Sequence, residues 1–161
     1  MRSIYKATNQ DIPTIRTLAI EIWNENYKQM ISQEQIDYML EMMYSPSALE
    51  KQINEGHEFW MLRVNNSDLG YFSISKKDPH VYFINKLYLK TNHHGAGLGT
   101  EFLNDVLSNY ADWNTIRLTV NRTNYKSINF YFKNGFKIES VANFDIGNDY
   151  FMEDFIMIKK R

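Results

Sequence analysis

Two stretches of this 161-residue chain carry residue types able to do chemistry at short spacing. The first is Leu87-Tyr88-Leu89-Lys90-Thr91-Asn92-His93-His94-Gly95-Ala96-Gly97-Leu98-Gly99-Thr100. A run of strand formers ends, a loop with glycines at every second position follows, and an amphipathic helix opens. Glycine admits positive φ and removes side chains that would block close approach. Free N–H groups at a helix start, with the helix dipole, suit a pyrophosphate. The segment therefore points to a phosphate-bearing cofactor. It is not a Walker A loop, because Gly99-Thr100-Glu101 lacks the Lys. Nor is it a dinucleotide loop: the spacing is wrong, and the next strand ends Val120-Asn121 without an acid. The second stretch places Asn124, Ser127 and Tyr131 at i, i+3 and i+7, one face of a helix.

Other chemistries have less to stand on. The chain has no cysteine, which rules out disulfides, thiolate zinc sites and Cys nucleophiles and fits a reducing, cytoplasmic setting. His57, His80 and the adjacent His93-His94 lack metal-ligand spacing, so no metal is expected. A net charge of −1 gives no basic surface for nucleic acid. No apolar run approaches the roughly 20 residues a bilayer requires, so no membrane partner is expected.

The elements that must position these residues follow from caps and periodicity. Ser3–Ala7 reads as a short strand, and Thr8 with Asp11 as a capped helix start. The helix behind it carries Ile12, Ile15, Leu18, Ala19, Ile22 and Trp23 and ends near Tyr27. Ser32 and Ser45-Pro46 open two more helices, the second closing at Gly56. Strands are predicted at Phe59–Val64, Leu69–Ser75 and Val81–Leu89, with turns at 65–68 and 76–79. A helix through Tyr110 follows the glycine loop. Then come a strand at Ile116–Val120, a helix at 124–134 closed by Gly135, and strands at Phe136–Asn143 and Tyr150–Lys159 flanking a polar loop. Phe130 and Phe132 lie off the Tyr131 face and read as core. The order predicts one α/β domain over residues 1–161.

His94-Gly95-Ala96-Gly97-Leu98-Gly99 resembles the Q/R-x-x-G-x-G/A signature of the GCN5-related N-acetyltransferases. His94 stands where that signature has Gln or Arg. The segment from Asn124 to Gly135-Phe136 resembles the family's second signature, N-x-x-(A/S)-x-x-(F/L)-Y-x-x-x-G-F. The resemblance implies a mixed, mostly antiparallel sheet flanked by helices and splayed between its fourth and fifth strands. It implies acetyl-CoA as cosubstrate. Leu87, Tyr88 and Leu89 would pair with the pantetheine arm. His94, Gly95, Ala96, Gly97, Leu98, Gly99 and Thr100 would cradle the pyrophosphate. Asn124 and Ser127 would meet the cofactor arm, and Tyr131 would protonate the departing thiolate.

Many family members carry a Glu on the strand before the loop; here Asn85 and Lys86 stand there, so the base is expected to be a carboxylate or carbonyl reached through water. The segments 23–27 and 144–150 are similar to the bacterial polyamine-acetylating branch. That implies a small cationic amine as acceptor, met by Glu25, Tyr27, Tyr38 and Asp149. Trp23 reads as core. A protein N-terminus as acceptor, or an acyl-CoA sensor without turnover, are the alternative readings. A homodimer is a state the family commonly adopts.

Overall fold

The computed structural model describes residues 1–93 and 97–161; His94, Gly95 and Ala96 lie outside the described residues. The elements are β1 (Arg2–Lys6), α1 (Ile12–Asn26), α2 (Gln33–Tyr44), α3 (Pro46–Asn54), β2 (Glu58–Val64), β3 (Ser67–Asp78), β4 (Val81–Leu89), α4 (Leu98–Leu107), β5 (Thr115–Asn121), α5 (Tyr125–Lys133), β6 (Lys137–Gly147) and β7 (Tyr150–Lys160). This is the order expected. The strands follow one another as β1-β2-β3-β4-β5-β7-β6 in a seven-stranded, mostly antiparallel sheet. β4 and β5 run parallel, in register from Val81↔Thr115 to Ile84↔Leu118.

The chain packs as two compact units. The first comprises residues 1–75 and 86–111. Its helices begin where the caps predict. Thr8 N–H donates to Asp11 Oδ2 at 2.8 Å, closing the box before α1. Ser32 Oγ accepts from Gln35 N–H at 3.1 Å, and Ser45 Oγ from Ala48 N–H at 3.2 Å, with Pro46 at the first helical position. Ile15, Ala19 and Ile22 of α1, Ile36 of α2 and Leu49 of α3 are fully buried with Phe59, Met61 and Tyr71 of the strands. Arg2 of β1 holds α4 from outside through Glu101 at 2.6 Å and Asp105 at 3.1 Å.

The second unit comprises residues 76–85 and 112–161. Its spine is β7, paired antiparallel with β5 (Thr115↔Lys160 to Asn121↔Asp154) and with β6 (Lys137↔Ile158 to Gly147↔Tyr150). Ile116, Leu118, Val120 and Met157 form its buried face with Ile128, Tyr131 and Phe136.

Four expectations are corrected. The turn placed at 76–79 lies at Pro79 and His80, and β3 runs on to Asp78. Lys76 is held there by Asp112 at 3.0 Å and lies over the Tyr82 ring, which outweighs the turn-forming residues. Tyr110 falls beyond α4, where its hydroxyl donates to Glu58 at 2.7 Å and accepts from Trp60 Nε1. The polar loop after residue 143 is strand as far as Gly147, with a two-residue turn at Asn148 and Asp149. Both turn residues have positive φ, 54° and 61°, the geometry a tight hairpin needs. Phe132 is not core: it is 46% exposed.

Candidate functional site

The first signature is built from backbone. β4 alternates buried and half-buried residues up to Lys86, then breaks step: Leu87 and Tyr88 are both half-buried and Leu89 buried. β3 lies hard against this end. A Cβ on Gly70 would stand 2.5 Å from the Tyr88 carbonyl oxygen and 2.5 Å from Leu89 Cδ2, so only glycine fits. Lys90 N–H donates to the Leu69 carbonyl at 2.9 Å and its side chain reaches Glu21 at 3.4 Å.

A short 3₁₀ turn, Thr91–His93, leads toward the loop. Gly97 is the N-cap of α4 with φ 75°, a left-handed conformation that favours glycine. It offers no side-chain cap, and a Cβ there would meet nothing within 4 Å. The first turn, Leu98, Gly99 and Thr100, is half-buried above the apolar face of Phe102, Leu103, Val106 and Leu107. That arrangement fits a diphosphate: N–H groups at a helix start, approached over glycine. The expected roles of His94, Gly95 and Ala96 fall outside the described residues.

Behind Tyr88 lies an aromatic cluster. Tyr88 OH and Tyr27 OH are 3.1 Å apart, and Trp23, Tyr27 and Tyr71 pack their rings on one another or on Tyr88 at 4.5 to 6.3 Å. Tyr71 OH donates to Tyr44 OH at 2.8 Å, and burial pushes both phenols well above their ordinary value. Trp23 is core, as expected. Among the residues assigned to the acceptor, Tyr27 thus joins Tyr88. Tyr38 is half-buried on α2, and Glu25 is exposed on α1.

Sequence reasoning missed Lys86. Its ammonium is buried, donates to Gln52 Oε1 at 2.8 Å and lies 5.3 Å over the Tyr44 ring and 5.7 Å over Phe59. Burial alone pushes its pKa down to about 8. The signal was present: Tyr82, Ile84, Lys86 and Tyr88 share a strand face, so Lys86 interrupts an apolar row.

The second signature is built from side chains. Asn124 is the N-cap of α5, its Oδ1 accepting from Ser127 N–H at 3.3 Å. Its carbonyl oxygen is thereby partly engaged, and its amide NH₂ offers two donors. Ser127 is half-buried and Tyr131 is 8% exposed.

The helix ends in a Schellman motif: Phe136 N–H donates to the Tyr131 carbonyl at 3.0 Å and Gly135 N–H to the Phe132 carbonyl at 3.1 Å. Gly135 takes φ 89°, and the Phe136 ring meets the Tyr131 ring at 5.5 Å. The G-F pair closing the signature thus fixes the residue five before Phe136, which is Tyr131. Asp149 is exposed in its hairpin turn, and Asn85 is half-buried on β4. Among the described residues no group of His, Asp and Glu is arranged to hold a metal ion, and no helix is long and apolar enough to cross a membrane.

Comparison with known proteins gives the family. The family described as the acetyltransferase (GNAT) domain matches residues 27–145, and the chain belongs to it. An "uncharacterized N-acetyltransferase" of Mycobacterium tuberculosis is 37% identical over 90 residues, which spans 52% of this chain and 58% of that relative's length. The spermidine N(1)-acetyltransferase of Thermoplasma acidophilum is 26% identical over 163 residues, covering 93% of this chain and 94% of that protein. The crystal structure of PaiA N-acetyltransferase from T. acidophilum in complex with coenzyme A matches with a TM-score of 0.81 and 26% identity over 100% of this chain and 99% of that one.

Proposed function

We propose that this chain transfers the acetyl group of acetyl-CoA to the primary amine of a small cationic molecule, a polyamine being the leading class. The observation that carries the reading is the pairing of two signatures, each with the local geometry its task needs. Gly97 caps α4 in the left-handed region, and a Schellman motif pins Tyr131. Similarity along nearly the whole chain to a protein named spermidine N(1)-acetyltransferase supports the acceptor class.

The residues divide the work. The N–H groups of Gly97, Leu98, Gly99 and Thr100 hold the diphosphate. The backbone of Leu87, Tyr88 and Leu89 pairs with the pantetheine arm as an added strand would. An N–H of Leu87 or Leu89 stabilises the oxyanion. Asn124 NH₂ and Ser127 meet the arm. Tyr131 gives its proton to the leaving thiolate. A phenol near 10 donating to a thiol near 8.5 is uphill by only about 2 kcal/mol. The attacking amine must itself lose a proton, at roughly 4–5 kcal/mol from an alkylammonium near 10.4.

Glu21 on α1 is engaged by Lys90, so the amine-attracting role on that helix is given to exposed Glu25. The absence of cysteine fits work in the cytoplasm.

The test is thiol release from acetyl-CoA over spermidine, spermine, short diamines, aminoglycosides and N-terminal peptides. Turnover led by polyamines is expected. Turnover confined to peptides would move the acceptor to a protein N-terminus, and coenzyme binding without turnover would make the chain a sensor.

A further inference from the structure

The second unit contains a carboxylate that its fold does not use. Asp154 stands on β7 with Asn121 of β5 opposite on one side and Ala142 of β6 opposite on the other. It is 1% exposed, and its Oδ1 has no hydrogen-bond partner among the described residues. Thr119 bonds the carboxylate, and Arg122 is the charged side chain acting on it. Thr119, Asn121 and Ala142, its nearest neighbours on that face of β5 and β6, do not titrate; Arg117, further along the same face of β5, is held by Glu139.

Directly opposed residues of an antiparallel ladder share a face, so Asp154 lies with Asn121 and Thr119. Lys159, an odd number of residues away, lies on the other face, where its chain covers Gly135 and Phe136 beneath Tyr131. The phenol and the carboxylate thus belong to opposite faces of one three-stranded ladder. A buried carboxylate oxygen without a donor is a liability in a folded chain unless a ligand completes it. An ammonium, with its N–H donors and positive charge, is the complementary group.

We propose that Asp154 receives the acceptor: Oδ1 accepts a hydrogen bond from the acceptor's ammonium and then takes its proton. This rests on the acetyltransferase reading above. One ammonium N–H bond breaks, its proton passes to Asp154, and the freed lone pair attacks the thioester carbon. The C–S bond then breaks with its electron pair on sulfur, which takes the Tyr131 proton. The second amine proton is lost to water, Tyr131 is reprotonated from solvent, and Asp154 releases the first proton. Burial pushes the Asp154 carboxyl up to about 6. It is therefore ionised at neutral pH yet a stronger base than a solvated carboxylate.

The experiment compares wild type with Asp154→Asn, which keeps size and shape, and Asp154→Glu. Spermidine and n-butylamine are titrated calorimetrically into the coenzyme A-loaded protein, beside thiol-release kinetics and coenzyme A affinity. The expected result for Asp154→Asn is at least about tenfold weaker amine binding and about 100-fold lower kcat/KM for the amine. Coenzyme A affinity should be unchanged, Asp154→Glu should recover part of the activity, and the wild-type acid limb near pH 6 should be absent in Asp154→Asn.

Amine binding and kcat/KM within twofold of wild type would overturn the assignment, as would a parallel loss of coenzyme affinity. Wild-type protein that binds neither amine overturns it too. Thiol release that is silent for every amine defeats the acetyltransferase reading. Asp154 is then judged on the calorimetry alone: lost binding in Asp154→Asn keeps it as an ammonium anchor, and unchanged binding removes it.

Discussion

The two units carry their signatures by different physics. The first is backbone geometry set by glycines: Gly97 turns the chain into α4, and Gly70 lets β3 press against the Tyr88 carbonyl. The second is a set of side chains held by local capping: Asn124 at the start of α5, Tyr131 fixed by Gly135 and Phe136 at its end. A backbone-built half should tolerate a changed side chain. On the proposed reading, a side-chain-built half should fail when a single hydroxyl is removed. Among the described residues each unit also buries one charge, Lys86 in the first and Asp154 in the second, and these titrate in opposite senses.

The largest expected effect lies in the side-chain half. Tyr131→Phe should lower kcat by about 10²- to 10⁴-fold while the Kd for coenzyme A stays within twofold, as read by thiol release and calorimetry. Loss of affinity in step with rate would erase the contrast between the halves.

The buried charges come next. Lys86 moves from 10.5 to about 8, so its burial costs roughly 3 kcal/mol at about 1.36 kcal/mol per pH unit. Its folded pKa is depressed, so the unfolded chain holds more protons between pH 8 and 10.5 and stability rises with pH across that range. Asp154 moves from 3.8 to about 6. Its folded pKa is raised, so the folded chain holds more protons between those values and stability falls as pH climbs from 4 to 6. Both penalties are in force at pH 7. Lys86→Met should therefore raise Tm at pH 7 and flatten the rise above pH 8. Asp154→Asn should raise Tm at pH 7 and flatten the fall below pH 6. Denaturation at several pH values checks both, and a lower Tm in either variant would contradict the assignment.

Gly70→Ala should follow. Its Cβ meets backbone, not a movable side-chain tip, so a loss of about 1–3 kcal/mol is expected, with weaker coenzyme A binding because Tyr88 and Leu89 must shift. Smallest is Gly135→Ala: a positive φ of 89° in a residue with a Cβ costs about 1–2 kcal/mol. A modest fall in kcat through the Tyr131 position should accompany it, visible beside an unchanged coenzyme affinity.

Much of this was legible in the sequence because caps and glycines act locally. Thr8, Ser32, Ser45-Pro46 and Asn124 start helices or turns where their side chains predict, and the two signatures fall on a strand–loop–helix and on a capped helix as their spacing requires. What stayed hidden depends on distant partners. Lys76 extends β3 because Asp112 awaits it, and Tyr110 leaves the helix for Glu58 and Trp60. Gly70 reads as an ordinary strand glycine until β4 is placed beside it. Lys86 and Asp154 look like surface charges in composition; only the strand rows that they interrupt betray their burial. Phe132 shows the converse, an aromatic left in solvent because its helix face turns outward.

The central proposal, that each signature meets coenzyme A, is tested most directly by amide hydrogen exchange with and without coenzyme A. Protection is expected in two separate segments, residues 87–100 and 124–131, with the rest of the chain little changed. Protection confined to one of them, or spread evenly over the chain, would contradict the account.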